Sequence, residues 1–80
     1  MTPLPGHPRI TVDARVLAGK PTVRGLRISV EQVLRALGGG VPVDDLLRDY
    51  PELEPEDIAA CQAYAAERIA DERVFPVAAK

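Results

Sequence analysis

Apolar residues recur at helical spacing in three stretches of the chain, and the breaks between them are marked by proline and glycine. Val30, Val33, Leu34 and Leu37 fall at i, i+3, i+4 and i+7, one face of a helix. Ser29 stands ahead of them as a cap, with Gln32 in capping-box position. Gly38-Gly39-Gly40 ends the stretch, and Gly38 is expected to supply a left-handed C-cap. Val43, Leu46, Leu47 and Tyr50 repeat the same stripe. Pro42 suits the start of that helix, Asp44 and Asp45 suit its first turn, and Pro51 forces residue 50 out of helical space. A third helix is predicted from Pro55 to about Glu72, with Ile58, Cys61, Ala65 and Ile69 as a narrow apolar line. Ala59, Ala60, Ala63 and Ala66 keep that helix slim. Glu54, at its cap position, is a poor capping side chain whose charge still suits the helix dipole.

The first third of the chain follows a different rhythm. Arg9-Ile10-Thr11-Val12 alternates polar and apolar residues as an edge strand does. Val16 and Leu17 form an apolar pair in a turn, and Gly19-Lys20-Pro21 breaks the chain. Thr22-Val23-Arg24 and Arg27-Ile28-Ser29 flank Gly25-Leu26, which predicts a tight hairpin with Gly25 at positive φ. So short a ribbon is marginal alone; it must lie on the helices or join a sheet from a second chain. Residues 1–8 hold three prolines, Gly6 and the single histidine, His7, and read as a mobile arm. The expected fold is mainly α, a short N-terminal β-hairpin followed by a three-helix, helix-turn-helix-like core. The arm at 1–8 leads into one domain over 9–73, and an apolar tail occupies 74–80.

Size changes what this core can do alone. A chain of 80 residues buries only about 60% of its unfolded surface and supplies about 3–5 kcal/mol of net stability. Cys61 is the single cysteine and has no internal disulfide partner; no Cys/His cluster has zinc spacing. Self-association as a homodimer is therefore expected, and Cys61 is read as core packing. No apolar run approaches the roughly 20 residues of a membrane span, and prolines interrupt the N-terminus where a signal peptide needs an apolar segment. A cytoplasmic location without membrane contact follows as an expectation.

Charge is divided along the sequence. Residues 1–40 carry six basic groups against two acids, a balance of +4; residues 41–80 carry four against ten, a balance of −6. Arg9, Arg24, Arg27 and Arg35 are the candidate DNA-contacting residues, since a basic β-ribbon paired across a dimer can read a groove. The alternative is that these arginines pair with the acids of the second and third helices. A conventional recognition helix is disfavoured, because Glu54, Glu56 and Asp57 at the start of the third helix repel phosphates. The tail residues Val74, Phe75 and Val77 are the candidate partner-binding residues. Catalysis is not expected. The one histidine lies in the arm, no carboxylate pair faces an evident cleft, and Gly-Gly-Gly-Val-Pro-Val lacks the phosphate-cradling register. No catalytic residue, metal, cofactor or small-molecule substrate is assigned.

The stretch from Ile10 to about Ala65 resembles the family known as domain of unknown function 433. The matching residues are Ile10-Thr11-Val12-Asp13, Gly19 to Gly25, Arg27-Ile28-Ser29-Val30, Leu46-Leu47 with Asp49-Tyr50-Pro51, and Glu56-Asp57-Ile58. Leu26 stands where the family usually has a small hydroxyl residue, and Glu54 replaces a Ser/Thr cap. The resemblance implies a homeodomain-like, helix-turn-helix fold. It also implies the antitoxin of a type II toxin–antitoxin pair, which sequesters a nuclease-like, PIN-related toxin and represses its own promoter DNA as a dimer. The residues are compatible with that role: a basic half for DNA, and an acidic half with an apolar tail for a toxin's basic groove. The competing reading is a protein-interaction and dimerisation module that never touches DNA.

Overall fold

The protein, seen as a computed structural model, is described over residues 1–71. Its N-terminal prolines build a hairpin where the sequence predicts a mobile arm. Strand β1 (Thr2–Leu4) pairs antiparallel with β2 (His7–Val12), Thr2 opposite Val12 and Leu4 opposite His7. Pro5-Gly6 closes the loop, with Gly6 at φ +76°, in the Pro-then-Gly order of a type II turn. Pro3 sits on the edge strand, and Pro8 has no partner in either ladder, so neither missing N–H is needed. Strand β3 (Thr22–Val23) adds to the other side of β2 through Ile10–Val23 and Thr11–Thr22. The fold is thus three helices plus a three-stranded antiparallel sheet, richer in β structure than the mainly α expectation.

After β3 the chain turns at Arg24-Gly25, both at positive φ (+46° and +76°), and Leu26 N–H closes the turn onto Val23 O. Two left-handed residues in succession define a type I′ turn. Ser29 then bridges back to Thr22, so the predicted hairpin forms around Gly25. Met1 covers that glycine: a Cβ there would come within 2.2 Å of its Sδ, the mobile end of a flexible side chain. Gly25→Ala is therefore expected to cost mainly backbone strain, about 1 kcal/mol. Thermal unfolding should show a fall of about 4–8 °C.

Helix α1 (Val30–Gly38) starts as the sequence predicts, Ser29 Oγ accepting from Gln32 N–H at 2.9 Å. The Gln32 side chain does not return to close the capping box. It donates to Tyr50 Oη at 2.8 Å instead and ties α1 to the end of α2 (Val43–Asp49). The left-handed glycine is Gly40 (φ +94°) rather than Gly38, which stays helical. Helix α3 (Pro55–Asp71) packs its first half on β2 and α1. The core joins Ile10, Val23 and Ile28 from the sheet side to Val30, Val33, Leu46, Leu53, Ile58 and Cys61. Val43 and Ile69, predicted on the buried stripes, are exposed. Every residue from Ala66 to Asp71 is exposed, so α3 outruns the core that supports it. Among the described residues no helix is long and apolar enough to cross a membrane.

Candidate functional site

Asp57 organises one end of the molecule. It is the third residue of α3, and its Oδ2 accepts the Glu54 N–H at 2.9 Å, satisfying a backbone donor at the helix start. The Glu54 side chain, freed from capping, accepts from Arg9 at 2.8 Å. Asp57 is fully buried, 0% exposed, and its remaining acceptor capacity is filled by arginine. Arg24 Nε and Nη2 reach its two oxygens at 3.0 and 2.9 Å, and Arg9 Nη1 reaches Oδ1 at 2.8 Å. Arg24 Nη2 also donates to Glu52 O at 2.7 Å, clamping the α2–α3 connection. Burial alone would push the Asp57 carboxyl up. The hydrogen bonds from Arg24, the Glu54 N–H and Arg9 outweigh it and hold the carboxyl below its ordinary range.

This network decides the fate of the candidate DNA residues. Arg9 and Arg24 are brought together, on a buried carboxylate. Arg35 lies on the exposed side of α1 and pairs with Glu31 at 2.9 Å. Arg27 follows the β-turn, is exposed, and makes no ion pair among the described residues. Arg9 and Arg24, each about a third exposed, are thus joined on one carboxylate, while Arg35 is held by Glu31 and Arg27 stands apart from both pairings. Part of the charge division is internal complementarity: Arg9 and Arg24 of the basic half hold Glu54 and Asp57 of the acidic half. The candidate partner residues Val74, Phe75 and Val77 lie outside the described residues.

Of two further side chains, His7 carries a role that its sequence context hides, and Cys61 is the core residue the sequence predicts. His7 is 10% exposed, not a tail residue in solvent. Its Nε2 meets Glu67 Oε1 at 2.9 Å, and its ring stands edge-on to Tyr64 with centroids 5.4 Å apart, fastening the hairpin to the middle of α3. Cys61 is fully buried, and burial, with the nearby Asp57 charge, pushes its thiol up to about 11. It is held as an unreactive thiol. No group of three or more His, Cys, Asp or Glu among the described residues is placed to hold a metal.

The second feature is an open cleft of about 560 Å³ between α1 and the far half of α3. Pro21, Val30, Leu34, Tyr64, Ala65 and Ile69 form its apolar lining. Lys20, Glu31, Arg35 and Arg68 contribute its charged members. Lys20 and Arg35 both hold Glu31 at 2.9 Å and keep its carboxyl below the ordinary range. Ile69 is 66% exposed there. Its place on the apolar line of α3 marks it in the sequence, but not that the core ends before it.

Comparison with known proteins follows the chain from β2 to α3. The profile of the family described as "Protein of unknown function (DUF433)" matches residues 10–65. The chain is similar to the uncharacterized protein y4eO of Sinorhizobium fredii, 34% identical over 56 residues. That match takes in 70% of this chain and 25% of the relative, so the chain spans about a quarter of the protein it matches. Its fold is similar to the crystal structure of a DUF433 member protein from Anabaena variabilis, with a TM-score of 0.73 at 29% identity. The likeness covers 78% of this chain and 61% of that one. The profile match spans well over half of the sequence and includes the second half of β2, all of β3, α1 and α2, and the supported part of α3: the chain belongs to the DUF433 family of proteins of unknown function.

Proposed function

We propose that this chain is the antitoxin of a type II toxin–antitoxin pair, a non-enzymatic protein that restrains a nuclease-like, PIN-related toxin by direct contact. The antitoxin role rests on the family resemblance. The observation that carries protein contact is the apolar cleft with Ile69 exposed on its wall, since open apolar surface on so small a domain marks an interaction site. The test is co-expression with the product of the adjacent gene, followed by size-exclusion chromatography with light scattering. A stable complex of defined stoichiometry is expected; two proteins eluting independently would contradict the proposal.

Repression of the promoter by a dimer is a second reading, favoured by exposed Arg27 and by the order of the helices. The short Tyr50–Glu54 connection between α2 and α3 supports that reading, although the acids at the start of α3 disfavour α3 as a recognition helix. Arg9 and Arg24 serve the fold on this account, so Arg27 is the informative substitution. Arg27→Ala should weaken binding to upstream DNA about equally across sequences and reduce the salt slope by about 1. Fluorescence anisotropy over a salt series measures this, and an unchanged slope would remove Arg27 from any phosphate contact.

A further inference from the structure

We infer that the α1–α3 cleft receives an amphipathic helix of the partner protein, one whose apolar stripe is flanked by Asp or Glu side chains. The inference rests on the protein-contact reading above and names the site and the chemistry of what fills it. Three observations select the occupant. The lining is apolar along both helices, Leu34 on α1 facing Ala65 and Ile69 on α3, which suits anchors spaced i, i+3, i+4 and i+7. The charged members are three cations, Lys20, Arg35 and Arg68, against one carboxylate, Glu31. Glu31 is shared by Lys20 and Arg35, and Arg68 makes no ion pair among the described residues.

Charge then discriminates between occupants. Two copies of the chain docked cleft to cleft would set six such cations against two carboxylates, twice the three-to-one set of each copy. Like charges facing across an interface oppose that pairing. The chain's own segment 72–80 offers one carboxylate side chain, Glu72, beside the two cations Arg73 and Lys80, a poor match for three cations. An acidic helix supplies the complement, and its carboxylates lie within reach of Arg68 and the outer faces of Lys20 and Arg35. The far end of α3 projects past its own core, so a helix lying in the cleft would support it as well.

The probe is a fluorescein-labelled synthetic helix of roughly five turns, with leucines at i, i+3, i+4 and i+7 flanked by glutamates, titrated against the full chain. A matched peptide carries lysines in place of the glutamates. The acidic peptide is expected to bind, more weakly as salt rises, and the lysine peptide about tenfold less well or worse. Ile69→Ser should weaken the acidic peptide by about tenfold and leave the melting temperature unchanged, because Ile69 is 66% exposed and outside the core cluster of the described residues. Arg68→Ala should flatten the salt dependence. Equal affinity for the two peptides, or binding to neither, overturns the inference. A dimer in sedimentation that Ile69→Ser dissociates gives the cleft to a second copy and also overturns it. So does acidic-peptide affinity that rises when residues 72–80 are removed, which gives the cleft to the chain's own tail. If the peptide fails while the adjacent gene's product still co-purifies, only the cleft assignment falls; if co-purification fails while the peptide binds, only the antitoxin reading falls.

Discussion

Asp57→Asn is expected to leave the protein largely unfolded at neutral pH, although the replacement has nearly the same size. The native carboxylate is fully buried and accepts from Arg9, from Arg24 and from the Glu54 N–H. An amide offers one acceptor oxygen and turns its own N–H groups toward two guanidiniums. Removing one member of a buried ionic cluster costs about 3–5 kcal/mol, and the lower end applies here because Arg9 and Arg24 are about a third exposed and Arg9 keeps Glu54. A domain of this size has about that much in total. Urea titration followed by circular dichroism should place the variant's midpoint near zero denaturant, with a wild-type midpoint well above it.

The same network sets a pH dependence whose sign is fixed. Asp57 is depressed in the folded state, so its contribution is fully present above the unfolded carboxylate value of about 3.9. It is lost as pH falls from there through the lower folded value. Asp13, held below its ordinary range by Arg15, acts in the same direction. The wild type should therefore lose stability below about pH 4. A folded fraction of Asp57→Asn, recovered in osmolyte, should show a shallower loss over that window. Equal acid sensitivity would mean that Asp57 is not the carboxylate that matters.

Ile10→Ala is the second large effect expected. Ile10 is fully buried on the central strand, opposite Val23 and inside the cluster with Val33, Ile58 and Cys61. Truncating a buried isoleucine costs about 2–5 kcal/mol, the loss of transfer energy plus the cavity left behind. The upper part of that range is expected here. Strand β2 is held from both sides by β1 and β3 and from below by α3, so little can collapse into the gap. Ile10→Val should cost only about 0.5–1.5 kcal/mol. Equal losses for the two variants would show that the site depends on β-branching rather than on filled volume.

The helices were legible because their signals are local. Ser29 announces α1, Pro51 ends α2, and the apolar spacings name Val33, Leu46, Ile58 and Cys61 correctly as core. What escaped depends on residues far apart in the chain. Prolines at 3, 5 and 8 look like disorder until the edge position of β1 and the unpaired position of Pro8 make them harmless. Asp57 reads as one acid among several at a helix start; only the return of β2 and of the Arg24 turn to that point makes it a buried centre. Its position at the third residue of α3, behind a poor cap at Glu54, was the available clue. Ile69 continues an unbroken helical stripe, and no local feature says that the core stops short of it. The arginines show the same limit: composition set the charge division, but not which cations the fold would consume.

If this chain holds a nuclease, as proposed, a cleavage titration will show it. Purified product of the adjacent gene would be given labelled RNA with increasing amounts of this chain, of Ile69→Ser and of Arg27→Ala. Cleavage is expected to fall to zero at a fixed molar ratio, Arg27→Ala to inhibit as well as the wild type, and Ile69→Ser to need a clear excess. Cleavage that continues undiminished at every ratio of the wild-type chain, by an enzyme shown to be active alone, would contradict the proposal.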